Sequence, residues 1–286
     1  NVELAGNFQE IAIVPDDFLW YLPFEALQVP QADGRVPLIS KARVRYALTA
    51  SMAVPDDRAR RPSGNMAVVL GRVYPSDADT VAQQEFQSLS RVVEGAVELP
   101  RTLPAPSAVY GSLFDRLVVL NDFPPDATLP YGWSPALDTG RGSNLDDWLT
   151  LPWNGPEQVV LPTFHTQAEN ALKSNASGQE IFLSAFGMVA SGARTVLMSR
   201  WRTGGQTSYD LVREFVSELP QNTAAAAWQR SVFLTMDAPL QTDREPRLVS
   251  SPRDTVPRAE HPFFWSGYLL IDTGTLPQKE DTPPAP

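Results

Sequence analysis

Five short, almost unbroken apolar runs constrain this chain more than any other feature: AVVL (67 to 70), LVVL (117 to 120), VVLP (159 to 162), TVLMS (195 to 199) and GYLLI (267 to 271). A strand with one wet face alternates apolar and polar side chains, whereas a strand covered on both faces stays apolar throughout. Helical patterns lie between the runs. Residues 80 to 95 put Val81, Phe86, Leu89 and Val93 near one stripe, and residues 178 to 191 space Ile181, Ala185 and Val189 by fours. Residues 208 to 219 repeat Leu211, Val212, Phe215, Val216 and Leu219 after Thr207 or Ser208 as N-cap. Residues 223 to 236 open on Thr223 and carry Trp228, Val232 and Met236. Strands alternating with helices of this length predict an α/β fold, a mainly parallel sheet sandwiched between two helical layers. At 286 residues and 43% hydrophobic, the chain has enough material for such a core.

The first 65 residues read differently. IAIVPDDFLWYLPFEAL has the form of a strand, an Asp-Asp turn and a second extended run, as in an antiparallel hairpin, and RVRYALTA (43 to 50) alternates like a further strand. The organisation expected is an accessory hairpin segment over 1 to 65, seated by Trp20, Tyr21 and Phe24, then an α/β core over 66 to 276. A polar, Pro-rich tail over 277 to 286 is expected to be disordered. The chain holds 27 prolines, clustered in 100 to 106, 124 to 135 and 239 to 257, which read as long surface connections. Its opening looks like a fold already under way, so a domain excised from a longer protein is expected.

Composition narrows the chemistry. A formal net charge of −10 gives no electrostatic drive toward nucleic acid or an anionic membrane. No apolar run approaches a membrane span, so no membrane contact is expected from this segment. The chain has no cysteine, which excludes thiolate metal sites and a cysteine nucleophile. With two histidines as well, neither a metal site nor a cofactor is expected. GRGSN (140 to 144) carries a G-x-G but does not bridge a strand to a helix, and reads as a loop.

The most suggestive patch is SRWRTGGQTS (199 to 208). A strand ends, Arg200 and Arg202 flank Trp201, Gly204 and Gly205 make a turn, and a helix begins with its free amides pointing back. That arrangement suits an anion or carboxylate, with forked guanidinium donors and a favourable helix dipole. The alternative is that the arginines pair with acids and the glycines only permit the turn. In HPFFW (261 to 265) the aromatics precede a buried strand, so His261 is expected to pack rather than to bind a ligand.

Several of these pieces recur together in one family. IVPDDFLWYLPFEAL resembles the opening of CHAT domains, the caspase-like domains often fused to tetratricopeptide repeats. AVVLGRVYPS with SLSRVVEGA, WSPALDTGRGSNLDDWLTLPW, GMVASGARTVLMSRWRTGGQTSYDLVREFVSELP and HPFFWSGYLLIDTG resemble its later blocks in order. The resemblance implies a caspase-like three-layer sandwich, a cytoplasmic setting and tetratricopeptide repeats upstream in the parent chain. It also implies a histidine just past one strand and a cysteine just past its neighbour. The histidine motif falls on LVVLNDF (117 to 123), which offers Asn121 and Asp122. The cysteine motif falls on VVLPTFHT (159 to 166), which places Phe164 where the thiol should be.

Without thiolate and base, that covalent chemistry is lost. The reading favoured is an inactive module that binds a protein or peptide partner through the old groove, near Asp122, Phe164, His165, Arg200, Trp201, Arg202, Gly204 and Gly205. A competing reading is a hydrolase rebuilt on His165 and Asp122, with Thr163, Thr166 or Ser199 as the hydroxyl. In that case Asp122 and His165 meet across neighbouring strands; otherwise His165 only caps a strand end. A third reading makes the domain an inert scaffold or oligomer contact.

Overall fold

The computed structural model describes residues 8–55, 65–70, 80–93, 95–99, 114–120, 156–162, 178–201, 203–245 and 258–274. Eight strands form one sheet, in the order β1 (Glu10–Ile13), β4 (Arg43–Tyr46), β10 (Tyr268–Asp272), β9 (Thr195–Ser199), β8 (Gln158–Leu161), β7 (Arg116–Leu120), β5 (Met66–Leu70) and β6 (Ala96–Leu99). Every pairing in it is parallel except β9 with β10. Helices α1 (Thr80–Val92), α2 (Gln179–Ala190), α3 (Gln206–Glu218) and α4 (Ala224–Asp237) cover its faces.

The unbroken apolarity of the runs has its cause in this layering. On one face Val118, Leu120, Val160, Leu197 and Leu270 meet Leu89 of α1, Phe215 of α3 and Trp228 of α4. On the other, Leu117, Val119, Val159, Leu161, Val196, Met198 and Ile271 meet Ile181, Ala185 and Met188 of α2. Successive side chains point to opposite faces, so a strand buried on both needs an apolar residue at every position. All five runs are strands, and the α/β sandwich with a mainly parallel sheet is the observed architecture. Thr223 caps α4 as expected, its hydroxyl accepting from the Ala226 N–H at 3.3 Å. At α3 the expectation fails: Gly205 is the N-cap, and Thr207 and Ser208 are buried in the first turn.

The N-terminal region departs most from the expectation. A hairpin is present, but it joins β2 (Gln28–Gln31) to β3 (Gly34–Pro37), after the residues expected to form it. FLWYLPFEAL instead coils into two 3-10 turns, Asp17–Tyr21 and Phe24–Ala26. The Asp16 carboxylate accepts from the Asp17 N–H at 3.0 Å, and Asp17 adopts φ 52°, which turns the chain out of the extended form. β1 and β4 belong to the main sheet, so this segment extends the core as well as carrying the hairpin. Trp20 and Tyr21 are buried, and Trp20 lies 6.1 Å from Phe182 of α2, so the aromatics seat the turn on the core.

Candidate functional site

The carboxyl ends of β8 and β9 are where an open parallel sheet presents its crevice. β9 is buried along its whole length, and the chain leaves it directly into Arg200, whose N–H donates to the Gly267 carbonyl at 2.6 Å. Because that bond continues the β9–β10 ladder, the Arg200 side chain is aimed into the protein rather than out of the crevice. It is fully buried, and its fork grips Glu25: Nη1 to Oε1 at 2.6 Å and Nη2 to Oε2 at 3.2 Å. Nη1 also donates to the carbonyls of Ser266, at 3.0 Å, and Tyr268. The Tyr46 hydroxyl donates to Glu25 Oε2, and its ring centroid lies 4.8 Å from the guanidinium carbon.

Electrostatics fix these groups in one state. Burial alone would lower the Arg200 pKa, but the attraction of Glu25, the neighbouring Tyr46 and the hydrogen bonds to Glu25 together outweigh it, and the net displacement is upward. Burial raises the Tyr46 phenol well above its ordinary value, reinforced by Glu25 and opposed by Arg200. The guanidinium therefore stays charged against Glu25, beneath a neutral phenol. Arg200, expected to offer a free fork to a ligand, is committed to the chain's own acid. Its partner lies in PFEAL, so two sequence blocks 175 residues apart meet in one buried contact. Sequence reasoning missed Glu25; the signal available was an acid set inside an apolar segment.

The rest of SRWRTGGQTS remains at the crevice. Trp201 is half-buried and packs so closely on Gly267 that a Cβ there would lie 2.9 Å from the indole Nε1. The Thr203 hydroxyl donates to the Pro162 carbonyl at 2.5 Å, which ties this loop to the end of β8. The Gly204 N–H lies 3.3 Å from the Ser208 hydroxyl. At the start of α3 the Thr207 amide and hydroxyl hold a carboxylate of the chain itself. Glu245 Oε1 accepts from the Thr207 N–H at 2.8 Å and from its hydroxyl at 2.5 Å. Gly205 has φ 108°, and a Cβ on it would overlap Glu245 Oε2. Glycine is thus required twice, by backbone conformation and by the seated acid.

Asp122, Phe164, His165 and Arg202, with Thr163, Thr166, the 140 to 144 loop and the 277 to 286 tail, lie outside the described residues. Ser199 is described and fully buried. His261 is exposed, and its Nδ1 accepts from the Phe263 N–H at 3.2 Å, so it caps a short turn where packing was expected. Among the described residues no three His, Asp or Glu side chains gather as a metal site, and no helix is long and apolar enough to cross a membrane. The family model described as CHAT domain matches residues 144–273, a span that holds β8, α2, β9, α3, α4 and β10. No curated protein matches the chain.

Proposed function

For a chain whose residues 144–273 belong to the CHAT domain family, and so carry a caspase-like, peptidase-related fold, we propose a role without cysteine-peptidase chemistry: a module that captures a protein or peptide partner. The observation that carries this reading is the absence of cysteine from all 286 residues, with Phe164 at the position the resemblance gives to the nucleophile. A thiol peptidase needs the sulfur itself, since the thiolate forms the covalent intermediate. The electrostatics of the described crevice point the same way. The cation most suited to hold a substrate carboxylate, Arg200, is neutralised inside by Glu25. What the crevice still offers is the Trp201 face, the Thr203–Gly205 loop and the end of β8. Tryptophan, here the half-buried Trp201, is among the residue types most enriched as anchors of protein interfaces.

Two measurements test the proposal together. Turnover of a fluorogenic peptide library by the purified protein should equal the buffer rate, and turnover that disappears in His165→Ala would overturn the claim of inactivity. A crosslinking search for partners should give contacts on Trp201, and Trp201→Ala should weaken capture at least tenfold with its melting temperature held. Capture unchanged in that variant would remove the binding role.

A further inference from the structure

β1 ends the sheet, and among the described residues its outer edge is open. The ladder on its inner side shows which groups line that edge. The Gln9 carbonyl accepts from the Arg43 N–H at 2.9 Å, and the Ile13 carbonyl from the Ala47 N–H at 2.8 Å. Successive residues of a strand turn their backbone groups to opposite sides. Gln9, Ile11 and Ile13 therefore serve β4, while the N–H and C=O groups of Glu10, Ala12 and Val14 point away from the sheet.

Such an edge templates a further strand unless a free charge, a bulge or a proline within the strand guards it. The sequence EIAI carries one charge, and that charge is spent: Glu10 Oε1 takes Nε of the buried Arg45 at 2.7 Å. Ala12 is exposed and too small to shield its own N–H. Around the edge Phe8, Val14 and Phe18 are 55%, 42% and 56% exposed, which leaves apolar surface for the side chains of an added strand. In strand addition the main-chain bonds give affinity and alternate side chains give selectivity.

Charge decides what fits. Residues 8 to 34 include the acids Glu10, Asp16, Asp17, Glu25 and Asp33 and no base. Glu10 and Glu25 are paired internally, and Asp16 and Asp17 are exposed just beyond Val14. Arg43, with Lys41 before it, stands at the other end of β1 and one strand further in, opposite Glu10. A second copy on this edge would bring together two chains that each carry a formal charge of −10, whereas an extended cationic segment is attracted.

We propose that the open edge of β1 takes an extended peptide of a cationic partner as a further strand, bonded to the main chain at Ala12 and Val14 with lysine or arginine beside Asp16 and Asp17. β4 and β10 separate this edge from β9, so the surface is distinct from the Trp201 face.

The probe is a synthetic peptide of alternating valine and threonine with two lysines at each end, and the comparison is its counterpart with glutamates in place of the lysines. Binding to the whole chain is read by fluorescence anisotropy. The lysine peptide should bind saturably and at least tenfold more tightly than the glutamate one. On its addition amide hydrogen exchange at Ala12 and Val14 should slow at least tenfold, while Val196 and Leu197 in β9 stay unchanged. Ala12→Pro removes one outward donor and spares the ladder to β4, as proline does at a sheet edge, and should weaken binding at least tenfold. Asp16→Asn with Asp17→Asn keeps a capping residue and one that tolerates the left-handed turn but removes both charges, and should narrow the preference between the peptides to under threefold. Equal binding of the two peptides, unslowed exchange at Ala12 and Val14, or unweakened binding by a folded Ala12→Pro would each overturn the proposal. So would a dimer in sedimentation that Ala12→Pro dissolves, because the edge would then belong to a second copy. The exchange reading uses the unaltered protein and does not depend on whether Ala12→Pro folds. Trp201→Ala should leave peptide binding at this edge unchanged, so this surface and the Trp201 face stand or fall separately.

Discussion

Replacing Glu25 by alanine tests whether the N-terminal segment and the matched CHAT span are one cooperative structure. The two side chains of the Glu25–Arg200 pair are 2% and 0% exposed, so neither can turn to water when the other is removed. Alanine at position 25 strands the guanidinium in the core and takes the acceptor from the Tyr46 hydroxyl. Breaking a buried pair from one side costs about 3–5 kcal/mol. For a chain of this size each kcal/mol moves the midpoint by roughly 2–4 °C, so a fall of the order of 10 °C is expected. Urea unfolding followed by far-ultraviolet circular dichroism gives the free energy, and an unchanged slope would show that the same surface is exposed. Glu25→Leu combined with Arg200→Met removes both charges and leaves apolar side chains. That double variant should recover to within about 1 kcal/mol of the original or exceed it, because the pair's desolvation cost disappears with it. A Glu25→Ala loss below about 1 kcal/mol would refute the reasoning, since it would mean the guanidinium finds other compensation. So would a double variant no better than Glu25→Ala.

Three further substitutions probe the frame around the site. Trp228→Ala in α4 removes a ring that meets Phe215 at 5.8 Å and Tyr268 at 5.9 Å, and should cost about 3–5 kcal/mol in urea unfolding. Gly267→Ala would place a Cβ 2.8 Å from Thr203 Cγ2 and 2.9 Å from Trp201 Nε1; a loss of about 1–3 kcal/mol in the same assay is expected from overpacking. Thr223→Ala removes the hydroxyl that caps α4 and should cost about 1 kcal/mol, with Thr223→Ser close to the original in thermal unfolding.

What the sequence disclosed about the fold is what local pattern can carry. Burial on two faces imposes an apolar residue at each position, and the five runs satisfy that without reference to any partner. β6 was missed for the converse reason: AVEL lies at the sheet edge, where Val97 is exposed and Glu98 is tolerated, so it has no such run. The residues FLWY are apolar enough for a strand, and only the Asp16 cap and the left-handed Asp17 convert them into a 3-10 turn. Apolar content says that a segment is covered, and not which backbone form covers it.

The charges were harder to place, and for a different physical reason. Arg200 read as a surface donor because a lone guanidinium beside a Gly-Gly turn is cheapest in water, and the acid that reverses this balance lies 175 residues away. Glu245 sits 38 residues beyond the helix start it occupies, where nothing local separates it from a solvated acid. Each burial depends on a pairing that only the folded topology creates. The sequence still contained a usable asymmetry. Arg200 directly follows five buried residues of β9, with no turn residue before it, so its backbone had to continue the strand, and a charge at such a position demands an internal counter-charge. Glu25 met the same demand from the other side, as an acid between Phe24 and Ala26 in a segment that packs on the core. The binding face proposed at the end of β9 is reached by subtraction: once Arg200 and Glu245 have their internal partners, the half-buried Trp201, Thr203 and Gly204 are what the described part of this stretch leaves for another molecule.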